Sequence, residues 1–293
     1  LNRWPSALPA GAPLPLRSQR EIRTSSEDVD RESAEIQRVY YGMISKVDFL
    51  VGRILDAIES EGLWDDTVVL FWSDHGDYAG QYGLAEKWDT SFADCLVKVP
   101  CILVAPGTES RRVAALTETT DLAPTLARLL GLPPLPRAHG EDLAPVIAGG
   151  PGKEAVYADG GHEREMRERF PREHPVGGAT YRAPAGLKRS AKSETYSRYP
   201  ESMARARMVR TQRWKMVVRE TGDNELYDLE ADPWEMENLW SVEPTRPAES
   251  TSSTALASDG TSLAAVKLDL AMRLNEFALC TDPDEPYLEK FTV

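Results

Sequence analysis

The residues of this chain best suited to chemistry lie together at Ser73-Asp74-His75-Gly76-Asp77. A carboxylate beside an imidazole makes a donor set for a divalent cation. The same residues also make an ordinary turn, since Asp and Gly are common there and Gly permits a sharp bend. Further on stands Lys87, in Gly83-Leu84-Ala85-Glu86-Lys87-Trp88. A lone loop lysine is normally a solvated charge. Near a cation it would be a point-charge anchor for an anionic oxygen. Asp77 reads either as a support to the pair or as part of the turn. His162, after Gly160-Gly161, reads either as a residue reaching a substrate pocket or as a surface histidine in a charged loop. His139 reads as packing or capping, and His174 as exposed.

Elements must hold these groups in place. Ile36, Tyr40, Met43, Val47, Leu50, Ile54 and Ile58 recur at three- and four-residue steps, which predicts a long amphipathic helix over 31–61 ended near Gly62. Residues 67–73 are continuous, β-branched and aromatic. They predict a short buried parallel strand, and 101–105 predicts another. The Asp74-His75 pair then falls at the carboxyl end of a strand, the edge at which open α/β sheets bind ligands. A helix is expected over 120–130, with Thr119 or Thr120 at its start, Asp121 as first-turn charge and Gly131 past its end. The proline-rich lead-in, 1–28, reads as irregular and extended. Residues 161–200 read as a long surface excursion. Strands are expected at 208–210, 214–218 and 225–229, a loop at 244–261, and a helix over 263–279. The order of elements implies a layered α/β domain over 1–200 and a smaller α+β part over 201–293.

Composition narrows the class. With 34 Lys and Arg against 47 Asp and Glu the net charge is -13, which argues against nucleic acid as the main partner. An anionic small substrate stays open, because a cation and one lysine reverse the sign inside a cleft. No apolar run approaches the ~18 residues of a membrane helix. Cys95, Cys101 and Cys280 cannot all pair and fit no zinc spacing, so they read as small buried hydrophobes. The start, Leu-Asn-Arg-Trp-Pro, shows no targeting segment. It reads as an internal beginning, and leaves a soluble chain, cytoplasmic or periplasmic, open.

The motifs in order are more telling than any one of them. Tyr40-Tyr41-Gly42-Met43 opens a helix that runs to Gly62-Leu63-Trp64-Asp65-Asp66-Thr67. Then come Phe71-Trp72-Ser73-Asp74-His75-Gly76-Asp77, Gly80-Gln81-Tyr82-Gly83-Leu84, Lys87, Val99-Pro100-Cys101 and Thr120-Asp121-Leu122-Ala123-Pro124-Thr125. His139-Gly140-Glu141-Asp142-Leu143, Arg213-Trp214-Lys215, Glu225-Leu226-Tyr227-Asp228-Leu229 and Glu237-Asn238-Leu239 follow. This series, from about 30 to 240, resembles the sulfatase family of the alkaline-phosphatase-like superfamily.

The resemblance implies a mostly parallel sheet flanked by helices, then a smaller antiparallel sheet with a packed helix. It implies that Asp74 and His75 are ligands of one divalent cation, Ca or Mn, and that Lys87 binds a sulfate or phosphate oxygen and assists the leaving group. It implies that His162 contributes to substrate binding. The family's nucleophile is a formylglycine made from the Cys or Ser of a Cys-x-Pro-x-Arg motif. Cys95 is followed by Leu-Val-Lys, Cys101 by Ile-Leu-Val and Cys280 by Thr-Asp-Pro, so none fits. The chain is therefore expected to be a carboxy-terminal portion, inactive alone, that associates with an amino-terminal half or chain and forms an oligomer. Its substrate class is a sulfate ester. The alternatives are a phosphonate or phosphodiester, or a non-catalytic remnant that binds a partner.

Overall fold

The computed structural model describes residues 4–23, 28–173, 191–241 and 256–281. Helix α1 spans Leu14–Arg23, in the stretch expected to be irregular. Pro13 and Pro15 flank its start, where a missing N–H costs nothing, and they read as helix breakers only deeper in a helix. Its buried residues include Leu16, Ser18 and Gln19, a face too polar to show as an apolar stripe.

Helix α2, Val29–Ser60, starts at an Asp28 cap whose side chain accepts the Arg31 N–H. The expected helix therefore forms. Its only buried residues are Ser33 and Gln37, which seat its first turns near Gly80. The apolar stripe lies open instead, with Met43, Val47, Phe49, Leu50 and Ile54 exposed.

Strand β1, Val69–Trp72, pairs with β2, Cys101–Val104, after the short helix α3, Asp94–Val97. The pairing is antiparallel, with Val69 opposite Val104 and Trp72 opposite Cys101. This corrects the expected parallel pair. The connection carries a single α-helix, the four-residue α3, and brings the chain back antiparallel. Nor are these strands buried: Trp72 is 46% exposed and Ile102 58%. Their continuous apolar runs were read as two covered faces, but no described element covers them.

Beyond β2, a 3-10 turn at Thr119–Asp121 leads into α4, Leu122–Leu129. Its cap is Glu118 rather than a threonine, in a capping box with Asp121. Asp121 is a first-turn charge with a structural role, as expected. It is wholly buried, accepts the backbone N–H groups of Glu118 and Glu141, and pairs with Lys153. After α5, Ala144–Ile147, strand β3 runs Val156–Gly160. Helices α6, Arg164–Glu173, and α7, Ala191–Arg198, occupy part of the expected surface excursion, and His174 lies outside the described residues.

The second sheet is antiparallel, as expected for the smaller part, in the order β3, β4 (Ala206–Arg210), β5 (Trp214–Arg219) and β6 (Glu225–Asp228). Its edge strand β3 comes from ahead of residue 200. Helix α8, Leu263–Thr281, packs Leu263, Val266, Leu270 and Leu274 against Val209, Met216 and Leu226. Tyr157 stacks on Phe277 with centroids 4.4 Å apart. Another core gathers Leu16, Tyr78, Tyr82, Leu84, Trp88, Leu96 and Met203 around the loop between β1 and α3. Cys95 is half-buried, but Cys101 and Cys280 are exposed, against the expectation of buried thiols.

Candidate metal and anion site

Asp74 and His75 follow β1 directly. The His75 N–H donates to Asp74 Oδ1 at 2.9 Å, and Ser73 Oγ donates to the His75 carbonyl at 2.8 Å. His75 Nδ1 lies 2.8 Å from the Gly76 carbonyl. A proton on Nδ1 satisfies that contact and leaves the Nε2 lone pair free. Nε2 lies 3.5 Å from Asp74 Oδ2. The two donors thus converge, with a backbone carbonyl beside Nδ1 to accept its proton, the kind of support a metal-binding imidazole uses. The pair fits a divalent cation. It does not complete a shell, since no group of three or more His, Cys, Asp and Glu that could hold a metal forms among the described residues.

Gly76 explains how the turn is seated. Its N–H donates to the Leu96 carbonyl at 2.8 Å. A Cβ there would lie 1.9 Å from the Cys95 carbonyl oxygen, so the residue serves close backbone approach to α3. Asp77 closes an Asx turn, accepting the Ala79 N–H at 2.8 Å. The loop then bends through Ala79, Gly80, Tyr82 and Gly83, all at positive φ. Burial holds this conformation: Tyr78 donates to Ser91 Oγ at 2.6 Å, and Tyr82 donates from its hydroxyl to the Trp234 carbonyl at 2.8 Å. From α1, Arg20 donates to the Tyr82 carbonyl at 2.6 Å.

Lys87 emerges exposed between buried Leu84 and Trp88. It faces the same cleft as Asp74 and His75. The Asp74 carboxyl is held below its ordinary range, chiefly by the His75 N–H and against a smaller opposing effect of burial. The charge of Lys87 adds a lesser pull in the same direction, which places it within electrostatic reach. His162 is half-buried and does not line this cleft; its N–H donates to the Met203 carbonyl at 2.8 Å. The exposed His139 does line it.

Two cleft residues carried no sequence signal. Asp159 and Arg207 face each other across β3 and β4 and form an ion pair at 3.1 Å. Their alternation with apolar neighbours looks like any solvated strand face until the pairing is known.

Layered helices, two antiparallel sheets and a carboxylate–imidazole turn after a strand place the chain in the α/β class. Residues 12–132 match the family model described as Sulfatase. It is 29% identical over 232 residues to the choline-sulfatase of Rhizobium meliloti (strain 1021), covering 78% of this chain and 38% of that protein. It is 26% identical over 238 residues to arylsulfatase K of Gallus gallus, covering 80% and 39%. Among solved structures it resembles the phosphonate monoester hydrolase of Agrobacterium radiobacter, at TM-score 0.58 and 28% identity over 82% of this chain and 40% of that one. A 2-O GAG sulfatase, at 23% identity and TM-score 0.63, shares the fold over 93% and 50%. The chain thus spans about 40% of the length of the curated relatives it matches. Among the described residues no helix is long and apolar enough to cross a membrane.

Proposed function

We propose that this chain supplies one wall of a metal-dependent hydrolase site for sulfate esters. The observation that carries this is the convergence of Asp74 Oδ2 and His75 Nε2 at 3.5 Å, with His75 Nδ1 tied to the Gly76 carbonyl. Asp74 and His75 would hold one divalent cation, Ca or Mn. A cation bound there polarises the ester oxygen. Lys87 brings its ammonium to an oxygen of the anionic group, steadying the bound ester and the charge that builds on the leaving oxygen. His162, which does not line the cleft, would meet only a substrate long enough to extend past it. The proposed division keeps the site in residues 1–200 and the smaller part in 201–293, with β3 shared between them.

Two ligands from one turn do not hold a hard cation that takes six or more oxygens. The proposal therefore includes a companion segment carrying the remaining ligands and the formylglycine nucleophile, in an assembly that is oligomeric. It is supported by the open apolar faces of α2, β1 and β2, and by relatives more than twice as long as this chain. The burial of Cys95, which pushes its thiol up, argues against a nucleophile there. A phosphonate or phosphodiester substrate is the second reading, favoured by the 28% identity to a phosphonate monoester hydrolase.

The test is titration of the isotopically labelled chain with Mn2+, read by NMR. Millimolar Mn2+ is expected to broaden Asp74 and His75 first, and His75→Ala to abolish the effect. Broadening spread evenly over surface carboxylates overturns the site. The isolated chain is expected to show no turnover of aryl sulfates or phosphonates above the metal-free blank. Turnover would remove the companion segment from the proposal.

A further inference from the structure

The Asp74-His75 turn rests on the 95–96 backbone, and that backbone is held from the far end of the chain. Lys215, on β5, is wholly buried. Its ammonium donates to the Phe92 carbonyl at 2.9 Å and to the carboxylates of Asp94 and Glu235. The other oxygen of Glu235 accepts the Asp94 N–H at 2.6 Å, at the first turn of α3. Arg210 grips the outer side of Asp94 at 3.2 and 3.3 Å. Burial disfavours the charges of Lys215, Asp94 and Glu235. The two carboxylates outweigh that for Lys215, whose ammonium is held above its ordinary range.

Neighbouring bonds extend the seam. Arg219, paired with buried Glu225, donates to the Thr90 carbonyl at 2.6 Å. Trp88 Nε1 and Thr90 Oγ1 both donate to the Ser202 carbonyl, at 3.0 and 2.6 Å. The stretch from Trp88 to Asp94 is thereby sewn to the second sheet and the turn before it. Lys87 sits at one end of that stretch. Leu96, which receives the Gly76 N–H, lies just past the other end.

A buried ammonium is a costly way to fill a core position, and apolar residues of similar volume often serve stability as well. What a methyl cannot do is fix three acceptors in direction. Lys215 meets one from the irregular segment running into α3, one from the first turn of α3, and one from the loop after β6.

We propose that Lys215 is a positioning residue, which sets the turn at 74–76 against Lys87 by locking α3 to the second sheet. Its functional meaning rests on the reading of Asp74 and His75 as metal ligands; the positioning itself does not.

The test compares amide hydrogen exchange in the full chain and two variants. In Lys215→Met the Gly76 amide is expected to lose at least tenfold protection, while amides of β4 and β5 change less than twofold. Should the unpaired carboxylates keep that variant from folding, Lys215→Met/Asp94→Asn/Glu235→Gln removes the charges at similar volume. Gly76 is expected to stay unprotected there as well, because methionine cannot donate to the Phe92 carbonyl. Retained Gly76 protection in the folded variant, or equal losses across the second sheet, overturns the proposal. Mn2+ broadening of His75 separates the two readings. If Gly76 loses protection but Mn2+ never broadens His75 in the unaltered chain, the positioning stands and the metal reading falls.

Discussion

Gly76 shows how a residue can be read correctly for an incomplete reason. The sequence marks Asp74-His75-Gly76 as a turn with metal-ligand chemistry, and the glycine as the freedom to bend. Gly76 is not among the residues at positive φ; what it provides is absence of bulk above the Cys95 carbonyl. A Cβ at 1.9 Å from a backbone oxygen forces either the turn or α3 to move. Gly76→Ala is therefore expected to cost about 2 kcal/mol or more by chemical denaturation, and to weaken Mn2+ broadening of His75. A variant as stable as the parent would mean that the turn is not seated on α3. Lys87 and Asp74 stood out only within the ordered series of motifs, and the structure sets both on one cleft. Lys215 was legible only as part of a motif, because Trp-Lys-Met-Val-Val does not say which face of the strand is covered.

Elements with strong local signals fell close to their expected places. Helices α2 and α8 and strands β4, β5 and β6 carry periodic or β-branched runs with clear ends. Helix α1 and strand β3 were not legible, because their partners are remote: the first seats against the loop around Tyr82, the second against β4. The parallel pairing was misread for the same reason, since apolar runs reveal a preference for burial and not a direction. The turn into β5 gives a prediction at this scale. Arg213 stacks on Trp214, grips Asp228 at 3.1 and 2.7 Å, and reaches Asp259 at 2.7 Å. The hydrogen bond from Arg213 lowers the Asp228 pKa, against a smaller opposing effect of burial. A carboxyl held below its unfolded value of about 4 adds stability above that pH and loses it as pH falls through the folded value. Asp228→Asn is expected to cost about 1–2 kcal/mol at pH 7, with the difference from the parent shrinking below about pH 3. A gap that stays constant with pH would assign the loss to packing alone.

The whole molecule has two unequal halves of apolar surface. The second sheet hides its face under α8. The stripe on α2 and the faces of β1 and β2 are open, and soluble monomers rarely expose contiguous apolar patches beyond a few hundred Å2. Hydropathy revealed which faces want cover and not what covers them. The isolated chain is expected to self-associate with rising concentration in light scattering. Val47→Lys/Ile54→Lys is expected to reduce that association while leaving the helical circular dichroism intact. A parent chain that stays monomeric at all concentrations would remove the case for a companion.

The seam through Lys215 also sets a schedule. Asp94 waits for a lysine 121 positions later and a glutamate 141 positions later. At ribosomal speeds of ~5–20 residues per second, that is on the order of ten seconds during which α3 lacks its anchors. The loop bearing Asp74, His75 and Lys87 is made well before it is finished. Any factor that must reach this loop while it is still pliable has that interval during synthesis in which to act.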